Sequence, residues 1–227
     1  MSRREAIEEN GFTVLHELFP PEYLDRLVEH INRLSPRRSR AGVRHALSLA
    51  PVEELARHQV LMDLAVEVLG KNAFPYRATL FDKSPKANWL VVWHQDTALP
   101  LRSRRETQGW GPWSIKEGID YAHAPASALS LVLALRVSLD NSTAENGPLR
   151  VLPRTHTLGV LSDDSIHELL TRISPVDCIS PQGGVIAMRP LLVHASSKSR
   201  AELPRRVLHI EYAASSSIAT PLELALA

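Results

Sequence analysis

Only one cysteine, Cys178, occurs among the 227 residues, so an intrachain disulfide is excluded and the core has to hold without covalent staples. Neither sign of charge dominates: 26 basic residues face 25 acidic ones, a formal net charge of +1. That balance argues against a polyanion-binding surface spread over the molecule. No nucleic acid or anionic membrane is expected as a partner, and recognition must be local. Long apolar runs are missing as well. The longest, roughly Ala128 to Leu135, falls far short of the ~20 residues that cross a bilayer. The opening MSRREAIEENGF lacks the apolar centre of a secretory signal, so the expected setting is the reducing cytoplasm.

What is present suits one well-buried core. With 44% apolar residues, the chain reads as a single domain over 1–227, with a helical leader over 1–75 and a strand-rich core over 76–213. Ser2 and Glu5 have capping-box spacing, Gly11 can end the helix they start, and FTVL reads as a brief strand. After Pro20-Pro21, Leu24, Leu27, Val28, Ile31 and Leu34 recur at three and four residues and form one apolar stripe that Pro36 closes. A helical pair is expected from Pro51 to Gly70, with Leu61, Leu64, Ala65 and Val68 facing inward. From Tyr76 the period changes to that of strands: NWLVVW, ALSLVLALRVSLD, PLRVLP, GGVIAMRPLLVH and RRVLHIEY. Short strands with 16 prolines and no regular strand-helix alternation predict a sandwich or barrel.

One strand carries more information than the rest. Over 128–139, Leu129, Leu131, Leu133, Leu135, Val137 and Leu139 share one face, and Ser130, Val132, Ala134, Arg136 and Ser138 share the other. The leucine face suits packing under helices. The small, polar face suits either a ligand-holding lumen or solvent.

The stretch VVWHQD sets a histidine and an aspartate two residues apart at a strand end, where both side chains can approach one ion. An H-x-D pair alone is a weak signal. A facial triad for nonheme iron needs a second, distant imidazole, with other positions left open for small molecules. His194, at the end of MRPLLVH, is the best candidate, although a hydrogen-bonded histidine at a strand end would look the same. His209-Ile210-Glu211 is a rival pair. His16, His30, His58 and His167 fall in helical or amphipathic segments, and His45 in a basic loop. An open iron site also has to anchor its cosubstrate, and arginine is the fixed, forked cation suited to a dicarboxylate. Arg205 follows His194 by eleven residues and Ser196 adds a hydroxyl beside it. Alternation puts Arg206 with Leu208, Ile210 and Tyr212, and Arg205 with Val207, His209 and Glu211; a lumen that takes the less apolar face favours Arg205.

LFDKSPKANWLVVWHQD, ENGPLRVLPRTH, MRPLLVHASS and PRRVLHIEY, in this order from about Arg77 to Tyr212, resemble the phytanoyl-CoA dioxygenase family of Fe(II)- and 2-oxoglutarate-dependent oxygenases. The resemblance implies a mainly β fold with flanking helices, a double-stranded β-helix (a distorted, cupin-like jelly roll). It implies His94, Asp96 and His194 as iron ligands, with Arg205, helped by Ser196, pairing with the far carboxylate of 2-oxoglutarate. It further implies consumption of O2 and hydroxylation of a C–H bond in a small-molecule substrate, with succinate and CO2 as coproducts. One departure is PRTH at Pro153 to His156, where the family commonly has Pro-Gly-Ser-His; the loss of that glycine is expected to alter a loop rather than the metal site.

Further candidates follow from position. Asn88 precedes the H-x-D strand and is placed with the cosubstrate. Lys83, Arg136, Trp110 and Trp113 are placed with the substrate, and residues 101–125, rich in Trp and Gly, are read as an irregular lid. Arg102, Arg104 and Arg105, with Arg37, Arg38, Arg40 and Arg44, could receive an anion or simply be solvated. A metal-dependent hydrolase using the same three ligands and a noncatalytic jelly-roll binding protein stand as alternatives, and either a monomer or a homodimer is compatible with these features.

Overall fold

Capping chemistry starts the chain as anticipated. In the computed structural model, which describes residues 1–39, 42–84 and 87–227, Ser2 caps helix α1 (Arg3–Asn10), its hydroxyl accepting from Glu5 N–H while the Glu5 carboxylate accepts from Ser2 N–H. Gly11, at φ 84°, ends that helix and strand β1 (Phe12–Leu15) follows. Pro21 occupies the first position of α2 (Pro21–Arg33), whose Leu24, Leu27 and Ile31 are buried. A short strand, β2 (Gly42–Val43), precedes α3 (Ala50–Ala56) and α4 (Gln59–Leu69). The leader is therefore not purely helical, because β1 and β2 supply the two outer strands of the largest sheet.

The strand-rich part runs β3 (Phe74–Lys83), β4 (Val91–His94), β5 (Ala98–Leu101), β6 (Trp113–Lys116), β7 (Ile119–His123), a short helix α5 (Ala126–Leu129), β8 (Val132–Ser138) and β9 (Leu149–Val151). It continues through α6 (Asp163–Leu170), β10 (Val176–Cys178), β11 (Val185–Met188), β12 (His194–Ser196), β13 (Arg205–Ala213) and a closing hairpin of β14 (Ser217–Ala219) and β15 (Leu222–Glu223). Six strands pair in the order β1-β11-β8-β13-β3-β2, four in the order β10-β9-β12-β4, and β5-β7-β6 form a third sheet. This is the double-stranded β-helix, mainly β with flanking helices. Among the described residues, no helix is long and apolar enough to cross a membrane.

The faces of the large sheet explain the layering. Leu133, Leu135, Val137, Leu208, Ile210 and Tyr212 point outward into one core with α2, α3 and α4, and the Tyr212 hydroxyl donates to Ala56 O at 2.7 Å. Ala134, Ile186 and Met188 point inward and meet Leu149, Val151 and Cys178 of the smaller sheet in an apolar plug. Burial pushes the Cys178 thiol up to about 12, so it is an inert filler of that plug. The alternation in the key strand holds only from Val132: Leu129 closes a helical turn, Leu131 is partly exposed, and both faces of β8 are covered. The solvent reading of its polar face is thereby removed.

Two further readings need correction. Residues 101–125 are not an irregular lid, since β6 and β7 pair within them and β7 pairs with β5. His194 opens a strand rather than ending one, because a turn at Arg189–Leu192 separates it from β11. At Pro153 to His156, Arg154 takes φ 71°, the left-handed region that suits glycine, and it is held by Arg154 N–H to Asn10 O and an ion pair to Glu9.

The turn before β11 depends on a glycine. Gly183 sits at φ 87°, and a Cβ there would lie 2.0 Å from Phe19 O. Gly183→Ala is expected to cost about 2–4 kcal/mol from left-handed strain plus overpacking. The melting temperature of the purified variant should fall by roughly 5–15 °C.

Candidate metal centre

The site forms where the smaller sheet faces the inner surface of the large one. β4 and β12 pair antiparallel with His94 directly opposite His194, so the two rings approach to 4.3 Å between centroids. Asp96 lies just past β4, fixed by its N–H to Pro190 O at 2.9 Å. His94 Nε2 lies 3.7 Å from Asp96 Oδ1, and His194 Nε2 lies 3.5 Å from Asp96 Oδ2. One atom from each of the three residues falls within a mutual 4.8 Å, close enough to share an ion.

Hydrogen bonding presents the rings correctly for that purpose. His94 Nδ1 donates to Val92 O at 2.8 Å and His194 Nδ1 donates to Leu192 O at 2.9 Å. Each neutral ring then holds its free lone pair on Nε2, the nitrogen that faces Asp96. Burial drives the His194 imidazole down to about 4, against the pull of Asp96, so it stays neutral. Burial also opposes protonation of His94, but hydrogen bonding and charge from Asp96 prevail and raise it. Burial opposes ionisation of Asp96 too, yet the surrounding histidines hold its carboxyl well below the usual range.

His209, the rival histidine, is close but differently engaged. Its Nε2 lies 4.0 Å from Asp96 Oδ2. The Arg136 guanidinium can only donate, so His209 Nδ1 accepts from Arg136 Nη1 at 2.9 Å and the ring proton sits on Nε2. A protonated Nε2 has no free lone pair and cannot ligate. Glu211, its partner in the H-x-E pair, is occupied by Arg77 and by the Tyr76 hydroxyl.

A cavity of about 180 Å³ runs from these three residues along the inner face of β3 and β13. At its far end Arg205 is 4% exposed; its Nε donates to Asn146 O at 3.1 Å and its Nη2 to Ser196 Oγ at 3.3 Å. Lys83 Nζ donates to Ser196 Oγ at 2.8 Å and to Ser197 O at 2.6 Å. The Ser196 hydroxyl spends its single proton on Gly147 O at 2.8 Å, so it accepts twice, donates once and orients the two cations. Burial and neighbouring Arg136 lower Arg205 to about 10, and burial with Arg205 and Arg136 lowers Lys83 to about 8. Arg136, also lining the cavity, stacks on Phe81 and keeps a buried Nε with no partner among the described residues.

Arg205 therefore faces the lumen, whereas Arg206 lies on the other face in a fork to Asp140 at 2.6 and 2.8 Å. Asn88 does not line the cavity: its amide clamps Ser199, donating to Ser199 O and accepting from Ser199 N–H, both at 2.8 Å. Trp110 is buried among Leu99, Leu101 and Leu129, and Trp113 packs on the same cluster beneath Arg104, so neither reaches the cavity. Arg40 lies outside the described residues. Arg38, Arg102 and Arg104 are engaged by Asp82, Glu223 and Glu106 at the surface. Sequence reasoning missed Thr79, Phe81 and Trp89 as cavity residues, whereas His209 falls on the lumen face with Arg205 as the alternation implied. The alternation of β3, continuing from Lys83, was the available signal for the first two.

A profile of the family described as "Phytanoyl-CoA dioxygenase (PhyH)" matches residues 7–207. The chain is 25% identical over 184 residues to L-proline trans-4-hydroxylase of Streptomyces griseoviridis, taking in 70% of this chain and 61% of that protein. It thus spans less than two thirds of that curated relative. AviO1 from Streptomyces viridochromogenes Tue57 has a similar structure, with 23% identity, 93% of this chain and 95% of that chain covered, and a TM-score of 0.66. So does the apo form of EctD from S. alaskensis, with 20% identity, 94% and 77% covered, and a TM-score of 0.70. EctD has also been solved with bound Fe and with 2-oxoglutarate and 5-hydroxyectoine. At these identities the two structures bear on the fold alone.

The tautomer assignment makes a direct prediction. In calorimetric titration with Fe(II) or Ni(II) under argon, His94→Ala, Asp96→Ala and His194→Ala should each weaken metal uptake at least a hundredfold, while His209→Ala should stay within about tenfold of the unsubstituted protein.

Proposed function

This chain belongs to the phytanoyl-CoA dioxygenase family, and from that premise we propose that it is an Fe(II)- and 2-oxoglutarate-dependent dioxygenase that hydroxylates a C–H bond of a small-molecule substrate, with succinate and CO2 as coproducts. We read residues 1–227 as one oxygenase domain acting in the cytoplasm. The observation that carries this reading is the pairing of two features in one cavity: a two-imidazole, one-carboxylate set at one end and a buried guanidinium and ammonium at the other.

The donor set fits ferrous iron. Two neutral imidazoles and an ionised carboxylate on one side of an ion are the facial arrangement that leaves positions open. His94, Asp96 and His194 would hold the metal, which when bound supplies the electron-transfer and O2 chemistry that side chains lack. The far end fits a dicarboxylate. Arg205, Lys83 and Arg136 put three cations into a cavity lined by one carboxylate, Asp96. Such a surplus is costly unless a ligand neutralises it. Arg205 uses two of its donors on Asn146 and Ser196 and offers the rest to the distal carboxylate of 2-oxoglutarate, with Lys83 beside it. Lys83 and Arg136, first placed with the substrate, are thereby assigned to the cosubstrate. Asn88 supports it indirectly, by holding the loop between Ser196 and Arg205. Arg136 fixes the His209 tautomer, and the ring stands 4.0 Å from the Asp96 carboxylate without ligating.

A hydrolase using the same three residues would leave the buried Arg205, Lys83 and Ser196 cluster without a task. A noncatalytic binding protein would have no need of an ion-sharing geometry. Purified protein supplied with Fe(II), 2-oxoglutarate and air should form succinate without added substrate, and His94→Ala should form none. Absence of succinate together with zinc-dependent ester or amide hydrolysis would replace the oxygenase reading.

Two quantitative expectations follow from the anchor. Loss of a charge-assisted contact costs about 1.5–3 kcal/mol, so Arg205→Met should weaken 2-oxoglutarate binding about 10–100-fold, while Arg206→Met leaves it within about twofold. With Lys83 titrating at about 8, its charge is present below that pH and lost above it. Affinity for 2-oxoglutarate should fall as pH rises from about 7.5 to 9, and in Lys83→Met it should already be weak at pH 7 and should lose this pH dependence.

A further inference from the structure

A second cavity of about 180 Å³ adjoins the metal centre and shares Arg77, Thr79 and Phe81 with the first. Its remaining wall carries two cations, Lys116 and Arg44, which gather with Ser39 and His45 round Tyr121. Tyr121 is 3% exposed and forms a fixed platform. Lys116 Nζ stands 4.6 Å above the ring centroid, Arg77 Cζ stands 5.7 Å from it, and the His45 ring stacks at 6.1 Å with its Nε2 3.0 Å from the Tyr121 hydroxyl.

The available carboxylates leave part of this charge uncompensated. Glu211 pairs with Arg77, and Glu117 lies 3.9 Å from His45. Among the described residues, no carboxylate comes within 4.0 Å of Lys116 or Arg44. Burial lowers the Lys116 ammonium, and Arg77 and Arg44 lower it further, outweighing the opposite pull of Asp96 and Glu211. Arg44 itself is exposed, at the mouth. A surface cation needs no partner, but Lys116 is half-buried and faces a cavity that adjoins the one holding the metal centre.

β3 supplies a ruler. Lys83, Phe81, Thr79 and Arg77 alternate along the cavity floor, at ~7 Å per same-face step. Thr79 is the register partner of His209, whose ring lies beside Asp96, so the metal end stands at the level of Thr79. Arg77, with Lys116 beside it over Tyr121, is one step further, on the side away from Lys83 and Arg205.

We propose that this second cavity is the substrate's anion subsite, that Lys116 and Arg44 bind a carboxylate in it, and that the hydroxylated substrate is a small acid of amino-acid size. The inference rests on the oxygenase reading of the first cavity. Lys116 and Arg44 select and position the acid and take no part in ligation or cosubstrate binding. Arg77, already neutralised by Glu211, lines both cavities where they adjoin.

The test uses full-length protein loaded with Ni(II), which does not turn over, and titrated by calorimetry first with 2-oxoglutarate alone. Saturated protein is then titrated with the L-amino acids and with C3–C6 carboxylic acids, each against its primary amide. At least one acid should bind tenfold or more tightly than its amide. Lys116→Gln should weaken that acid about tenfold and Arg44→Gln less, with 2-oxoglutarate affinity and melting temperature unchanged in both. Equal binding of acids and amides, including no binding of either, overturns the subsite with the oxygenase reading intact. Acid binding that Lys116→Gln leaves undiminished does the same. Failure of 2-oxoglutarate to bind the unsubstituted, metal-loaded protein overturns both readings together.

Discussion

The register of one short strand pair governs the molecule: β4 lies against β12 with His94 opposite His194. A slip by one residue would turn each imidazole to the other face and leave Asp96 without neighbours. That register is itself held from outside the site. Gln95, between the two prospective ligands, is buried and donates its amide to Leu191 O and Gly159 O at 2.7 and 2.9 Å, while its carbonyl accepts from Leu161 N–H. The residue between His94 and Asp96 thus keeps the strand end from rotating.

A polar lumen is possible only because the outer face of the large sheet carries the burden of folding. Leucine, valine and isoleucine side chains on β8 and β13, with the helices laid across them, supply the apolar burial that drives the chain together. The inner face is then free to be poor at folding. Its far end is plugged by Ile186, Met188, Leu149 and Val151, but the rest holds Arg136, Arg205, Lys83 and His209, all buried. Burial first, and repulsion from neighbouring cations second, takes away part of the basicity of Lys83 and Arg205. Charge that is unfavourable in the empty fold is charge available to an anionic ligand, the usual exchange of stability for function at a preorganised site.

Much of this was legible in the residues, and the legible parts share a cause. Local rules worked where local physics decides. The capping box at Ser2, the apolar stripe of α2 and the alternation of β13 that separates Arg205 from Arg206 all depend on side chains a few positions apart. The same alternation failed at Leu129 and Leu131, where a helical turn follows Pro125 and the strand begins only at Val132. Composition misled over 101–125: Trp and Gly looked like a mobile loop, yet the tryptophans pin a three-stranded sheet to the second core.

The amino-acid sequence by itself determined which residues can carry the chemistry, because imidazole, carboxylate and guanidinium are fixed by residue type and their faces by the two-residue period of a strand. Family membership was readable for the same reason, in four ordered motifs. What only the tertiary structure decided is who touches whom across long separations. Asn88 became a loop clamp rather than a ligand contact, His209 an acceptor from Arg136 rather than a rival ligand, and the adjacent Arg44 and His45 were brought together with the distant Lys116 round one tyrosine ring. Those outcomes depend on strand register and sheet closure, which arise from the burial of the whole core and leave no mark in any short stretch of chain.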